Sequence, residues 1–212
     1  MTARVIALVG AESTGKSTLA GQLADALRAD GLVVAHLDEH LRTFCDIHGR
    51  TPRQDEQAAI AAEQTRRIAA ARDARRLPVD VVVADTTALM TAVYSELVFG
   101  DTALYPQALA DHRQADLTLL MALDLPWTAD GLQRDGPQVQ RPVDALLRGA
   151  LLGAGIGFSV ISGSGPQRLV NARAAWAASQ RRMAVPAARA GGWRHRCGRC
   201  GDPFCEQHLF SR

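Results

Sequence analysis

The residues with the clearest chemical meaning form a short run near the start of the chain. From Gly10 to Ser17 the sequence is GAESTGKS, which fits the spacing G-x-x-x-x-G-K-[ST]. Glycines at these positions let the backbone wrap closely around a phosphate group, while backbone N–H groups and the N-terminus of a following helix point toward its charge. The lysine then bridges the β- and γ-phosphates, and the serine hydroxyl binds Mg²⁺. The run therefore predicts a phosphate-binding P-loop, with Lys16 and Ser17 in these two roles.

The sequence on both sides of this run supports the prediction. Apart from Arg4, residues 4–9 are apolar and rich in β-branched side chains, as in a buried strand. Residues 18–27 have leucines and alanines at helical spacing. Strand, loop and helix are the context that the motif requires, and the alternative is a glycine-rich turn before an ordinary helix. The residues that we assign to nucleotide binding are Gly10, Glu12, Ser13, Thr14, Gly15, Lys16, Ser17 and Thr18.

Polar residues follow the next two predicted strands. Residues 32–37 indicate a second buried strand, which would deliver Glu39 and Arg42 to the carboxyl edge of a sheet, where ligands bind in open α/β folds. Residues 79–86 indicate a third strand with Asp85 near its end, the arrangement in which a Walker B carboxylate reaches Mg²⁺. Glu39 and Asp85 are both candidates for the group that accepts the proton of an acceptor hydroxyl. For Glu39 and Arg42 the alternative is an ion pair at a solvated helix start.

A polar segment follows the fourth predicted strand, residues 116–123. Residues 124–136 contain proline and glycine and include Arg134, and Arg141 lies shortly beyond. In a phosphotransferase a mobile lid would lie here, and a lid arginine would neutralise charge on the transferring phosphoryl group. Arg134 and Arg141 are therefore candidate catalytic residues, with ordinary surface residues as the alternative.

The predicted elements define an α/β fold. The later predicted helices cover residues 53–76, 89–100, 143–153 and 167–183. A fifth strand is predicted over residues 156–163, and a loop over residues 43–52. This alternation predicts a P-loop NTPase with a five-stranded, mainly parallel sheet and helices on both faces. Residues 1–184 would form this domain, and residues 185–212 a linker and a small Cys/His-rich C-terminal appendage.

The appendage contains a candidate metal site. Cys197, Cys200, Cys205 and His208 have the spacing C-x2-C-x4-C-x2-H, and thiolate and imidazole are ligands that tetrahedral Zn²⁺ prefers. The spacing resembles a zinc knuckle, although the order of the ligands is not the common one. Reduced thiols or a labile redox pair are the alternative. If zinc binds, protein ligands fill all four positions, so the site would be structural.

Composition and charge exclude other classes of protein. Of the 212 residues 47% are hydrophobic and 22% are charged, which is ordinary for a globular domain, and the formal net charge of +2 is too small to indicate a nucleic-acid surface. No signal peptide precedes the P-loop, and no apolar run is long enough to span a bilayer. We therefore expect a cytoplasmic protein without a membrane or nucleic-acid partner.

Several motifs occur in one order along the chain. They are Glu12-Ser13-Thr14, Glu39-x-x-Arg42, Asp85-Thr86-Thr87-Ala88-Leu89 with Tyr94-Ser95 and Phe99-Gly100, and Asp116-Leu117-Thr118-Leu119 with Pro126-Trp127 and Asp130-Gly131. Together they resemble the nicotinamide riboside kinase domain of bifunctional bacterial NAD-biosynthesis regulators, and the related single-domain P-loop ATPases, over about residues 4–170. The family has an aromatic residue after the glutamate where this chain has His40, so the resemblance leaves the acceptor's identity open.

The resemblance implies transfer of a phosphoryl group from ATP to the ribosyl 5′-hydroxyl of a nucleoside. It implies that Lys16 and Ser17 serve ATP and Mg²⁺, and that Asp85 serves the metal or the acceptor. The residues that we assign to substrate binding are Glu39, Arg42, Tyr94, Trp127 and Asp130.

A different class of function also fits a P-loop. In an ATP-dependent switch or ATPase, nucleotide binding or hydrolysis would change a surface that binds a protein partner, without a small-molecule acceptor. The region around Glu39, Arg42 and Trp127 separates the two classes, because a kinase encloses a small molecule there beside the γ-phosphate. Nucleic-acid binding through the tail is a third class, but few aromatic residues are present there to stack on bases.

Overall fold

A parallel β-sheet lies at the centre of the fold. The structure, a computed structural model, describes residues 2–75, 77–128 and 136–184. Within these ranges the strands are β1 (Arg4–Val9), β2 (Val34–Leu37), β3 (Val81–Asp85), β4 (Leu117–Met121) and β5 (Ser159–Ile161). Neighbouring strands are parallel and follow the order β2-β3-β1-β4-β5. The predicted five-stranded parallel sheet is confirmed.

Helices cover both faces of this sheet, as the sequence predicts. The described helices are α1 (Lys16–Ala29), α2 (His40–His48), α3 (Gln57–Arg72), α4 (Ala88–Phe99), α5 (Tyr105–His112), α6 (Gln140–Gly153) and α7 (Pro166–Ala184). On one face, α1 and α7 pack on Leu8 and its neighbours in the sheet. On the other face, α4 and α6 pack around Leu120, and α3 covers Val5 and Val82. Burial on both faces explains why the strands have nearly continuous apolar sequences.

The region between β2 and α3 differs from the prediction. The loop predicted over residues 43–52 is wrong, because α2 extends to His48. The helix begins directly after Glu39 and ends where Gly49 adopts a left-handed conformation with φ +64°. A hydrogen bond from His40 to Gln64 in α3, which local sequence does not show, holds the first residue of this helix in place. Helix α5 is also absent from the sequence-based description.

The end of the chain is described only in part. Residues 1–177 form one compact unit, and residues 178–212 belong to a second one, of which the structure describes the end of α7. The predicted appendage and its candidate zinc ligands (Cys197, Cys200, Cys205 and His208) lie outside the described residues. Among the residues that are described, no helix is long and apolar enough to cross a lipid bilayer.

Candidate functional site

The P-loop joins β1 to α1 and lies against the end of β4. Gly10 has φ +150° and Gly15 has φ +76°, backbone angles that residues with a side chain rarely adopt. A Cβ atom on Gly10 would also lie 2.9 Å from the Cβ atom of Met121. The geometry therefore requires both glycines of the motif, Gly10 for the close approach to β4 and Gly15 for the left-handed turn at the N-terminus of α1.

The ammonium group of Lys16 lies beside the backbone of this loop. Its Nζ atom donates to the carbonyl oxygen of Ala11 at 2.8 Å, and the hydroxyl of Thr14 donates to the same oxygen at 2.7 Å. Lys16 is the only lysine in the sequence. The one lysine side chain of this protein is therefore held at the position where a phosphate-binding motif needs it.

A buried arginine fixes the P-loop to two other loops. Arg168, in the first turn of α7, is only 4% exposed. Its guanidinium donates to the carbonyl oxygens of Thr14 at 2.8 Å and Gly163 at 2.6 Å, and it pairs with the carboxylate of Asp124. Asp124 also accepts a hydrogen bond from the N–H of Gly163 at 2.6 Å. The loops that follow β1, β4 and β5 therefore meet at this side chain.

The loop after β4 also contacts the P-loop directly. The N–H of Thr128 donates to the Oγ atom of Ser13 at 2.8 Å, and the indole N–H of Trp127 donates to Glu12 at 3.3 Å. From the start of α6, the side chain of Gln140 donates to the carbonyl oxygen of Glu12 at 2.9 Å. The described part of the predicted lid segment is thus attached to Glu12 and Ser13.

A cleft of about 490 Å³ opens beside the P-loop. The seven P-loop residues 12–18 form one part of its lining. The rest comes from α2, from the turn that precedes α3, from the start of α3 and from α4. The predicted acceptor residues Glu39, Arg42 and Tyr94 all line this cleft, so the structure brings them together with Lys16. The volume lies in the range of small-molecule sites.

Glu39 and Arg42 reach the cleft because α2 starts immediately after β2. The backbone N–H of His40, the first residue of α2, donates to the side-chain oxygen of Gln64 at 2.9 Å. The amide nitrogen of Gln64 donates to the carbonyl oxygen of Thr86 at 3.3 Å. Gln64 is 3% exposed, so both its polar groups are buried and used. This glutamine therefore fixes the start of α2 relative to the end of β3.

Asp85 ends β3 and is 2% exposed. Its Oδ1 atom has no hydrogen-bond partner within the part of the chain that the structure describes. The next residue, Thr86, has φ +70°, which is rare for a β-branched residue, and its N–H donates to the carbonyl oxygen of Leu8 at 3.0 Å. A buried carboxylate oxygen is costly to leave unpaired, and backbone strain of this kind concentrates at functional sites. Asp85 therefore has the properties of a ligand for a cation.

An ion-pair network shapes the cleft wall before α3. Arg50 donates two hydrogen bonds to the carboxylate of Glu56, both 2.7 Å long, and the backbone N–H of Arg53 donates to it at 2.8 Å. The hydrogen bonds from Arg50, followed by the one from Arg53, lower the pKa of Glu56 to about 2. Glu56 is therefore ionised at neutral pH and holds the turn that places Arg53 and Gln57 in the cleft wall.

The cysteine in the cleft wall is a packing residue. Cys45 is 4% exposed, and burial raises the pKa of its thiol. A thiol that stays protonated is a poor nucleophile and a poor metal ligand. Cys45 therefore contributes apolar surface to the cleft.

Known proteins share part of this sequence. The pattern of the family described as an AAA domain matches residues 5–168. The chain belongs to this family. Two curated relatives are the trifunctional NAD biosynthesis/regulator protein NadR of Escherichia coli and that of Salmonella typhimurium. Each is 27% identical over 147 residues, which is 65% of this chain and 33% of the relative. The chain thus spans about a third of their length, and the predicted resemblance to bacterial NAD-biosynthesis regulators is confirmed.

Solved structures of NadR proteins share the fold of this AAA domain. A NadR protein in complex with NAD and AMP-PNP has a TM-score of 0.67 and 19% identity, and the match covers 87% of this chain and 51% of that one. A NadR protein in complex with NR has a TM-score of 0.63 and 20% identity, over 77% and 45% of the two chains. At these identities the likeness establishes the P-loop NTPase fold.

Other predicted site residues lie apart from the cleft or outside the described ranges. Arg141 is exposed in the first turn of α6 and is not among the residues that line the cleft. Trp127 contacts Glu12 and is likewise not part of the cleft lining. Asp130 and Arg134 fall outside the described residues. The roles assigned to these four residues stay predictions.

Two residues with prominent contacts are absent from the sequence-based assignment. Gln57 lines the cleft, and Arg168 supports the P-loop. A glutamine at a helix start and an arginine in a long helix belong to no motif. For Arg168 the available signal is its position near the start of the helix predicted to follow the fifth strand, close to the carboxyl edge of the sheet.

Proposed function

We propose that this chain is an ATP-dependent kinase that phosphorylates the ribosyl hydroxyl of a nucleoside similar to nicotinamide riboside. The observation that carries this proposal is the single cleft lined both by Lys16 and by the acceptor candidates Glu39 and Arg42. Phosphoryl transfer is catalysed mainly by positioning and by electrostatic stabilisation, so the donor phosphate and the acceptor hydroxyl must lie together. A shared cleft meets that requirement.

The residues near the P-loop suit an ATP–Mg²⁺ complex. Ser17 lines the cleft directly after Lys16, and Asp85 has a buried carboxylate oxygen without a partner among the described residues. Hydroxyl and carboxylate oxygens are ligands that Mg²⁺ prefers. When bound, Mg²⁺ would offset the negative charge on the β- and γ-phosphates.

The two candidate carboxylates differ in their access to the acceptor. Glu39 is half-buried and lines the cleft, whereas Asp85 is buried and does not line it. A general base must come within hydrogen-bonding distance of the hydroxyl that loses its proton. We therefore assign Glu39 to the acceptor hydroxyl and Asp85 to the metal. Lys16 would exchange its hydrogen bond to Ala11 for one to a phosphate oxygen.

The relatives support both halves of the proposal. One solved NadR complex contains AMP-PNP, an ATP analogue, and another contains NR. The curated relatives are named for NAD biosynthesis. Because this chain spans about a third of their length, the acceptor of this chain is to be identified by the assay described below.

Further assignments belong to the same proposal. A lid after β4 would bring Arg134 or Arg141 to the transferring phosphoryl group, and Trp127 and Asp130 would lie near the base of the acceptor. The tail would hold a structural zinc ion. Among the described residues, no cluster of three or more His, Cys, Asp or Glu side chains could hold a metal ion.

The test is ATP consumption by the purified protein with Mg²⁺, alone and with a panel of nucleosides that includes nicotinamide riboside, with the products identified by mass spectrometry. Wild-type protein should yield a phosphorylated nucleoside. Lys16→Ala should yield none while keeping the circular dichroism spectrum of the wild type. Retained turnover in Lys16→Ala contradicts the proposal. ATP binding without acceptor-dependent turnover favours the alternative, an ATP-dependent switch or ATPase that binds a protein partner.

A further inference from the structure

A buried glutamine on α3 bonds to the backbone beside both candidate carboxylates of the site. Gln64 is 3% exposed and is not among the residues that line the cleft. Its side-chain oxygen accepts from the backbone N–H of His40 at 2.9 Å, and its amide nitrogen donates to the carbonyl oxygen of Thr86 at 3.3 Å. His40 directly follows Glu39, and Thr86 directly follows Asp85. One side chain therefore joins the two segments that carry the proposed base and the proposed metal ligand.

At the start of α2, Gln64 takes a role that a capping side chain usually has. The first N–H groups of a helix have no partner within the helix, and the side chain just before the helix often accepts from one of them. Among the described residues, the side chain of Glu39 makes no such capping bond to α2. Gln64 instead accepts from the first N–H of this helix. The start of α2 is therefore anchored without a capping bond from the carboxylate of Glu39, which lines the cleft.

At the end of β3, Gln64 holds a residue in a rare backbone conformation. Thr86 has φ +70°, and its N–H donates to the carbonyl oxygen of Leu8 at 3.0 Å. The bond from Gln64 occupies the carbonyl oxygen of the same residue. Strained backbone persists only where surrounding contacts impose it, and these two bonds attach Thr86 to β1 and to α3. The direction in which the chain leaves Asp85 therefore depends on Gln64.

The pairing of β2 with β3 ends just before the two carboxylates. The last paired residues are Leu37 and Ala84, two positions before Glu39 and one position before Asp85. The hydrogen bonds of Gln64 continue the connection between the two segments at this edge of the sheet. Because both ends of one short amide are used, loss of the amide would let Glu39 move relative to Asp85.

We propose that Gln64 is a positioning residue for phosphoryl transfer, which fixes Glu39 relative to Asp85 and so aligns the acceptor hydroxyl with the metal-bound phosphate. The inference rests on the proposed function and adds a residue that acts through others. In that reaction the acceptor oxygen bonds to the γ-phosphorus, the bond from this phosphorus to ADP breaks with its electron pair left on ADP, and Glu39 takes the hydroxyl proton. A displacement of about 1 Å can slow such a step by about a hundredfold.

Gln64→Met keeps the length of the side chain and removes the amide that makes both bonds. Its kcat for nucleoside phosphorylation should fall by about a hundredfold, while the Kd for a fluorescent ATP analogue should change by less than about threefold. Thr65→Val is the matched control on the same helix, because it keeps the shape of the side chain and removes the hydrogen bond of 2.9 Å from Thr65 to Asp111 in α5. The control should lower the urea midpoint of unfolding and leave kcat within about twofold of the wild-type value.

A double variant separates positioning from a general loss of structure. Glu39→Gln removes the group that Gln64 is proposed to place, so adding Gln64→Met to it should lower kcat by less than about threefold more. Losses that multiply in the double variant, or a kcat near the wild-type value in Gln64→Met, would overturn the inference and leave the proposed function in place. Loss of ATP binding by Gln64→Met would also overturn it, since the effect would then be on the fold as a whole.

Two further outcomes reach beyond Gln64. A Glu39→Gln variant as active as the wild type would overturn the inference together with the assignment of Glu39 to the acceptor hydroxyl. Failure of the wild type to phosphorylate any nucleoside of the panel would overturn both the inference and the proposed function.

Discussion

The guanidinium of Arg168 donates a hydrogen bond to the carbonyl oxygen of Thr14 at 2.8 Å, although the two residues are 154 positions apart. The same guanidinium bonds to Gly163 and pairs with Asp124. The shape of the P-loop therefore depends on a residue outside its motif. Because Asp124 lies just before Trp127 and Thr128, the same side chain also positions the loop that contacts Glu12 and Ser13.

Arg168→Met should lower the free energy of unfolding by about 3 kcal/mol, because it leaves the buried carbonyl oxygen of Thr14 and the carboxylate of Asp124 without their partner. Urea unfolding followed by circular dichroism measures the change. Arg173→Met is the matched control on the same helix, since Arg173 pairs with Asp30 in an exposed ion pair. Arg173→Met should lower the free energy of unfolding by less than about 1 kcal/mol. Equal losses in the two variants would contradict the structural role of Arg168.

Gly10→Ala should abolish nucleotide binding. A Cβ atom at this position would lie 2.9 Å from the Cβ atom of Met121, on a backbone with φ +150°. Gly31→Ala is the control, because Gly31 also has a positive φ, +89°, but no atom lies within 4 Å of the added Cβ. The control should cost about 1 kcal/mol in stability and bind a fluorescent ATP analogue normally. Normal binding of the ATP analogue by Gly10→Ala would contradict the requirement for glycine at this position.

Stability should fall in mild acid because of His112. This residue is 1% exposed, its ring nitrogens contact the hydroxyls of Thr87 at 2.8 Å and Thr118 at 3.0 Å, and burial lowers its pKa from 6.5 to about 4. Since the neutral ring is favoured in the folded state, this contribution is fully present above pH 6.5 and is lost as the pH falls through about 4. This lowering of the pKa corresponds to a loss of roughly 3 kcal/mol in the free energy of unfolding.

Urea unfolding of wild type and His112→Asn between pH 7 and pH 4.5 measures this contribution. The slope of stability against pH should be flatter in the variant. His40, whose pKa is also lowered by burial, is present in both proteins and cancels in the comparison. Glu56, with a pKa of about 2, loses its contribution only in stronger acid. Identical slopes in the two proteins would show that His112 does not titrate in this way.

ATP should protect Lys16 from acetylation. Lys16 is the only lysine of the chain, so the N-terminal amine is the natural internal control for an amine-selective reagent. With ATP–Mg²⁺ at ten times its Kd, the acetylation rate of Lys16 should drop by about tenfold, since only the unbound fraction reacts. The rate at the N-terminus should stay the same. Peptide mass spectrometry measures both rates, and equal rates at Lys16 with and without ATP would argue against a phosphate-binding role.

The sheet and the P-loop are predictable because their signals are local. A strand buried on both faces must be apolar along its buried length, as residues 5–9 and 81–84 are. The glycines of the P-loop are imposed by its own backbone. The rule that ligands lie at the carboxyl edge of parallel strands then places Glu39 and Arg42 near Lys16. The extent of α2, which runs to His48 through the predicted loop, escapes prediction, because the bond between His40 and Gln64 that holds this helix joins residues 24 positions apart.

The contacts of Arg168 are tertiary, and no sequence pattern encodes them. A single sequence does not show that Arg168 reaches Thr14, 154 positions away. The burial of Asp85 and the place of Glu39 in the cleft wall, on which we base their separate proposed roles, are likewise visible only in the structure. Sequence therefore predicts which edge of the sheet is functional, and packing determines which residues act there.

The most direct test of the kinase proposal is to measure ADP and phosphorylated nucleoside in the same reaction, with wild type and with Glu39→Gln. We predict one phosphorylated nucleoside per ADP in the wild type. We predict a decrease of about a hundredfold or more in kcat for Glu39→Gln with little change in the affinity for ATP, since Glu39 would act only on the acceptor hydroxyl. ADP without a phosphorylated nucleoside, formed at the same rate by both proteins, would contradict the account.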